Sequence, residues 1–198
     1  MSRRRRPVSG LEESGFEVRS RDLDIPPEEY ARRPKFPVVL VLDNLRSAFN
    51  VGALYRVADT ARLAGLLTCG HTAHPPHPRL DKTALGSLDY VAGEHFPTTE
   101  EGIQRLRAGG VPVWALETTS RSRHYARVSY PRPVALVLGN EALGVQPSVL
   151  DSCDELVEVP VFGFKNSLNV AAAAAVVVYE ILRQWDYEPG DEAAALRF

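Results

Sequence analysis

Val38-Val39-Leu40-Val41-Leu42 is an unbroken apolar run rich in β-branched residues, and a strand of that kind has no face to turn toward water. Similar runs recur at 111–116, 134–138 and 156–161, with a weaker one at 66–69. Helix-period patterns fall between or after them, at 51–63, about 80–88, 100–107 and 168–185. Strands buried on both sides and alternating with helices predict the α/β class, a parallel sheet with helices on both faces. Residues 1–36 are polar and rich in Arg, Glu and Pro, so they read as an N-terminal extension. The folded unit is expected over 37–186, followed by a tail at 187–198.

At 198 residues and 44% hydrophobic content the chain suits one domain with a sizeable core. Its longest apolar stretch, 171–178, is far too short to cross a bilayer, and no apolar segment follows the N-terminal arginines. Neither a membrane nor secretion is expected, and a cytoplasmic location follows by default. Cys69 and Cys153 lack CxxC spacing and read as reduced, semi-buried thiols. A net charge of -2 argues against wholesale polyanion binding, but local patches remain. Arg3 to Arg6 form one basic run. The stretch 119–133 holds Arg121, Arg123, Arg127, Arg132 and His124 with Tyr125 and Tyr130 and no acid. Guanidinium groups beside aromatic rings suit phosphates and unpaired bases, so RNA contact is expected of Arg121, Arg123 and Arg127.

Open parallel sheets bind ligands at the carboxyl ends of their strands, and three polar segments fall there. The first, Asp43 to Arg56, contains Asn50, which is expected to cap the following helix. Gly52 is expected to leave room for Arg56, one turn on, whereas a plain surface helix would pair Arg56 with Asp59. The second, Gly139-Asn140-Glu141-Ala142-Leu143-Gly144, presents a carboxylate between glycines. The third, Asn166-Ser167-Leu168-Asn169-Val170, leads into five alanines, Ala171 to Ala175. Ser167 or Asn166 is expected to cap that helix, and the alanines allow another backbone to come close. No GxGxxG, GxxxxGK[ST] or GxSxG motif is present. His71, His74 and His77 lie in a proline-fixed loop without an evident fourth ligand, so no metal is expected.

Together these segments resemble the SpoU-type, or TrmH-like, RNA ribose 2'-O-methyltransferases of the SPOUT superfamily. Leu42-Asp43-Asn44 through Asn50-Val51-Gly52-Ala53-Leu54-Tyr55-Arg56-Val57-Ala58-Asp59 is similar to the first family motif. Leu136-Val137-Leu138-Gly139-Asn140-Glu141 with Gly144 resembles the second, and Val159-Pro160-Val161 with Ser167-Leu168-Asn169-Val170 the third. Lys82-Thr83-Ala84-Leu85-Gly86 resembles a recurrent stretch between the first two. The likeness covers about 37–184.

The resemblance implies a Rossmann-like α/β sheet whose C-terminal part is threaded into a deep trefoil knot, with S-adenosylmethionine bound among the knot loops. It also implies a homodimer. Gly139, Val159 and Leu168 would line the donor pocket, with Leu116 and Glu117 beside them. Asn50, Arg56, Glu141, Ser167 and Asn169 match the family's functional polar positions, Arg56 being the one that would activate the ribose hydroxyl. A guanidinium has no lone pair to act as a base. Arg56 therefore either accepts the proton transiently from a perturbed state, or anchors the neighbouring phosphate and polarises the hydroxyl. Ser47-Ala48-Phe49 replaces the Pro common before the first-motif Asn, and Ala171-Ala172 stands where Ser is frequent. With only a short arm ahead of the domain, a tRNA substrate is favoured slightly over rRNA. The alternatives are a non-catalytic RNA-binding or assembly protein of the same fold, and an RNA base methyltransferase.

Overall fold

Each apolar run contributes a strand, but the one expected over 156–161 ends at Glu158, and Val159 to Val161 lie outside the sheet. The computed structural model describes residues 22–190, so the Arg3 to Arg6 run and the end of the expected tail lie outside the described residues. The chain divides into two units between Arg33 and Pro34. The described part of the first carries one short helix, α1 (Pro27–Ala31), opened by proline.

Among its described residues the second unit holds seven strands: β1 (Phe36–Asp43), β2 (Leu63–Cys69), β3 (Gly93–Phe96), β4 (Val113–Leu116), β5 (Arg123–His124), β6 (Val134–Leu138) and β7 (Glu155–Glu158). They form one sheet in the order β3-β2-β1-β6-β4-β7-β5, and every pairing is parallel. Five helices accompany them: α2 (Ala48–Thr60), α3 (Pro78–Ala84), α4 (Thr99–Ala108), α5 (Pro147–Ser152) and α6 (Val170–Gln184). The α/β expectation holds. β3, β5 and α5 were not foreseen, because β3 is polar and half exposed, β5 has two residues and α5 is barely a turn and a half long.

Alternation along β1 shows the two layers directly. Val38, Leu40 and Leu42 join a core with residues of α2, α3 and α6, while Val39 and Val41 join a second core with α4 and α5. Ala171 and Ala174 face the first core with Val177, Val178 and Ile181, so the alanine tract is where α6 packs closely onto its neighbours. Ala172, Val176 and Tyr179 form the outward stripe of the same helix.

Gly52 serves a purpose other than the one expected from sequence. A Cβ there would stand 1.9 Å from Thr83 Oγ1 and 2.9 Å from the backbone nitrogen of Ala84. The missing side chain therefore lets α3 approach α2, and Thr83 Oγ1 donates to the Ala48 carbonyl at 3.3 Å. The carboxyl ends of β1, β6, β4 and β7 come out side by side, and the three polar segments gather there.

Candidate active site

Asp43 ends β1 with no solvent exposure, an expensive place for a carboxylate unless its oxygens are occupied. They are: Thr99 Oγ1 donates to Oδ1 at 2.6 Å, as do Gln146 Nε2 and Asn44 Nδ2 at 2.9 Å, while the Gln146 N–H donates to Oδ2 at 2.9 Å. Asp43 thus ties the exit of β1 to α4 and to the segment after β6. Neither Thr99 nor Gln146 stands out in the sequence, since nothing local marks a polar residue as the partner of a carboxylate many residues away.

The segment after β6 is a closed turn. Asn140 and Gly144 exchange both backbone hydrogen bonds, at 3.0 and 2.8 Å, and Asn140 Oδ1 accepts the Ala142 and Leu143 N–H groups. Asn140 Nδ2 donates to the Asn44 carbonyl at 2.7 Å, fastening the turn to the β1 exit. Gly139 has no room for a side chain, since a Cβ would lie 2.2 Å from the Val145 nitrogen. Glu117, expected near the donor pocket, directs its carboxylate into this turn, where Oε2 accepts the Val145 N–H at 2.8 Å.

Fixed in this way, the turn points Glu141 at the start of α2. Its carboxylate accepts the Arg46 N–H at 2.9 Å, the Ser47 N–H at 3.1 Å and Asn50 Nδ2 at 2.7 Å. Partial burial works to raise its pKa, but the Arg46 N–H, the Asn50 amide and the Ser47 N–H outweigh it and hold the group below its ordinary range. Glu141 is therefore an ionised acceptor, poorly suited to take a proton.

Asn50 passes the chain onward. Its Oδ1 accepts from Asn169 Nδ2 at 3.0 Å, and Asn169 Oδ1 accepts the Ala171 and Ala172 N–H groups at 3.0 and 3.3 Å. Chemistry alone sets both amide orientations, because a carboxylate only accepts and a backbone N–H only donates. Three segments far apart in sequence are thereby joined through Glu141, Asn50 and Asn169.

Two capping expectations are corrected. Ser47, in extended conformation, caps α2 by accepting the Asn50 N–H, so Asn50 lies inside the first turn and its side chain is released for Glu141 and Asn169. Asn169, not Ser167 or Asn166, caps α6, because the helix starts at Val170. Ser167 is exposed and bonds only at 3.5 Å, to Asn166.

Arg56 stands exposed on α2. Among the described residues its guanidinium is not one of the partners of the Glu141, Asn50 and Asn169 chain, and it faces solvent. Among the residues expected to hold a donor, Leu116 pairs with Leu138 on one side and Val157 on the other. Leu116, Gly139 and Val159 thus sit at the ends of three neighbouring strands, and Leu168 is half exposed just ahead of Asn169.

The basic stretch is altered most by the fold. Arg123 pairs with Glu155 at 2.9 Å and Arg121 lies 3.9 Å from Asp151, so acids from β7 and α5 face a segment that holds none of its own. Tyr130 is buried against Trp114, its hydroxyl donating to the Tyr125 carbonyl, and is not available for stacking. Arg127 remains exposed. His74 stacks on His95 at 3.8 Å and His77 caps α3; among the described residues no three His, Cys, Asp or Glu side chains gather to hold a metal. No helix among them is long and apolar enough to cross a membrane.

Residues 37–179 match the model of the SpoU rRNA Methylase family. The chain belongs to that family. It is 31% identical over 159 residues to the tRNA (guanosine(18)-2'-O)-methyltransferase of Thermus thermophilus, covering 79% of this chain and 80% of that one. It is 28% identical to the 23S rRNA (guanosine-2'-O-)-methyltransferase RlmB of Vibrio parahaemolyticus, over 75% of this chain and 60% of that one. The SpoU methyltransferase AviRb of Streptomyces viridochromogenes, solved in complex with AdoMet, superposes with a TM-score of 0.68 at 29% identity. That match covers 78% of this chain and 59% of AviRb. The SpoU match spans all three polar segments, so the Glu141, Asn50 and Asn169 chain lies wholly inside the family domain.

Proposed function

We propose that this protein is an S-adenosylmethionine-dependent RNA methyltransferase acting on a ribose 2'-hydroxyl, with tRNA favoured slightly over rRNA. One observation carries the reading. Glu141, Asn50 and Asn169 form a continuous hydrogen-bonded chain at the carboxyl ends of adjacent parallel strands, with an exposed arginine, Arg56, on the helix that chain anchors. The family membership and the activities named for the relatives supply the reaction class.

The donor fits the residues present. Leu116, Gly139 and Val159 lie at the carboxyl ends of three neighbouring strands and would hold it largely through main chain and apolar surface, with the partly exposed Leu168 contributing from the segment ahead of α6. When bound, S-adenosylmethionine supplies a methyl group on a positively charged sulfur, already activated for transfer. Arg56 holds the phosphate beside the target ribose and polarises its hydroxyl, leaving solvent or a substrate oxygen to take the proton. Glu141, kept ionised, fixes Asn50 and the start of α2, and so fixes where Arg56 stands; alignment is the main contribution of the protein. In this reading the third segment, 159–169, is threaded as the family's knot, Ser167 helps hold it, and the outward Ala172, Val176 and Tyr179 stripe of α6 meets a second copy in a homodimer. The protein works in the cytoplasm.

The test is to supply labelled methyl donor with unmodified tRNA and rRNA transcripts and to digest the products to nucleosides. A 2'-O-methylnucleoside is expected; label on a base, or donor binding with no transfer to either RNA, overturns the reading.

A further inference from the structure

The sequence placed RNA contact at Arg121, Arg123 and Arg127, but two of those three side chains face acids in the fold. A different surface has the opposite balance. Arg46, Ser47, Ala48, Phe49, Arg79, Lys82 and Thr83 line a groove of about 330 Å³ between the start of α2 and helix α3. Arg46, Arg79 and Lys82 are exposed, and none has a carboxylate partner among the described residues. Asp81 shares α3 with two of them and does not line the groove. Phe49 lines it with 68% of its surface exposed, a costly position for a phenyl ring.

The groove also borders the site already described. The backbone N–H groups of Arg46 and Ser47 both donate to Glu141, so two residues lining the groove are hydrogen-bonded to the Glu141, Asn50 and Asn169 chain. Thr83 and Gly52 set the separation of α2 and α3 at contact distance. Three unpaired cations and one exposed aromatic ring beside a ribose-directed site match a nucleic-acid strand, whose phosphates repeat along the backbone and whose unpaired bases offer flat faces.

We propose that this groove docks the RNA strand flanking the methylated nucleotide, with backbone phosphates on Arg46, Arg79 and Lys82 and an unpaired base stacked on Phe49. The proposal rests on RNA being the substrate. It assigns substrate grip to the α2 and α3 surface in place of the 121–127 stretch.

The experiment measures binding of labelled, unmodified tRNA transcripts and rRNA fragments across a salt series. The wild type is compared with Arg79→Ala/Lys82→Ala, Arg79→Lys/Lys82→Arg, Phe49→Ala and Arg121→Ala/Arg127→Ala. Arg79→Ala/Lys82→Ala is expected to weaken binding tenfold or more at low salt and to flatten the salt slope by about 1.4, at about 0.7 for each phosphate no longer neutralised. Its affinity for S-adenosylmethionine stays at the wild-type value. The charge-preserving pair retains the slope, and Phe49→Ala loses about tenfold with the slope unchanged. Unchanged affinity and slope in the alanine pair, or loss concentrated in Arg121→Ala/Arg127→Ala, overturns the groove. If the wild type methylates RNA while the alanine pair keeps its RNA KM, the groove alone has failed. A wild type that transfers no methyl to any RNA fails the functional reading itself.

Discussion

Asn169 donates a hydrogen bond from Nδ2 to Asn50 Oδ1 at 3.0 Å, across 119 residues of chain. Asn50 in turn donates to Glu141, so one small amide holds the start of α6, the first turn of α2 and the turn after β6 in a fixed relation. Asn50→Ala removes both links, leaving Glu141 with two of its three donors and Asn169 Nδ2 without its acceptor. Methyl transfer is expected to fall about a hundredfold, with a loss of about 1–2 kcal/mol in stability from the broken hydrogen bonds. Initial rates and chemical denaturation measured together separate the two effects.

Asp43 accepts four hydrogen bonds while wholly buried. Asn in its place presents an N–H₂ group to neighbours that are all donors. Asp43→Asn is therefore expected to destabilise the fold by about 2–4 kcal/mol, read from the denaturant midpoint at constant m-value.

Gly52→Ala forces a Cβ into Thr83 and the Ala84 backbone. Because backbone as well as side chain must move, about 1–3 kcal/mol of stability is expected to be lost, and thermal denaturation measures it. Gly86→Ala serves as the contrasting case: no atom lies within 4 Å of the added Cβ, so any loss there comes from its φ of +95° alone.

Glu141 has a folded-state pKa depressed below its ordinary 4.5. Its contribution to stability is therefore complete above that ordinary value and is lost as pH falls through the lower, folded one. The stability difference between wild type and Glu141→Gln is expected to hold steady from neutral pH down to about 5 and then to shrink in more acid solution. Denaturation midpoints across that pH range check it. A difference that instead grew on acidification would mean that the carboxylate is not held by these donors.

Burial pushes the thiols of Cys69 and Cys153 up to about 12. Both are expected to resist alkylation in the native protein at mildly alkaline pH and to react freely once it is unfolded, which mass measurement after iodoacetamide treatment reveals.

Much of this architecture was legible in the sequence, because β1, β2, β4 and β6 are apolar on both faces and such runs have few alternatives, while β7 keeps only Leu156 and Val157 of the run read there. The polar segments were legible as a candidate site because they follow those strands directly. Their wiring was not. Ser47 and Asn169 become caps through a difference of two or three residues in where α2 and α6 begin, and element ends are set by tertiary packing more than by local preference. The surroundings of the basic stretch were not legible for a related reason: charge along a segment says nothing of the acids that β7 and α5 bring up against it. Conversely, Arg46, Arg79 and Lys82 are scattered in sequence and become a patch only when Gly52 lets α3 settle on α2.

The most direct measurement of the central claim is transfer of labelled methyl from S-adenosylmethionine to unmodified total RNA by the wild type and Arg56→Ala side by side, with products fractionated by size and digested to nucleosides. The account predicts a 2'-O-methylnucleoside with the wild type and a loss of about a hundredfold or more with Arg56→Ala, while donor affinity and thermal stability are retained. Full activity in Arg56→Ala, or methyl found on a base, would contradict it.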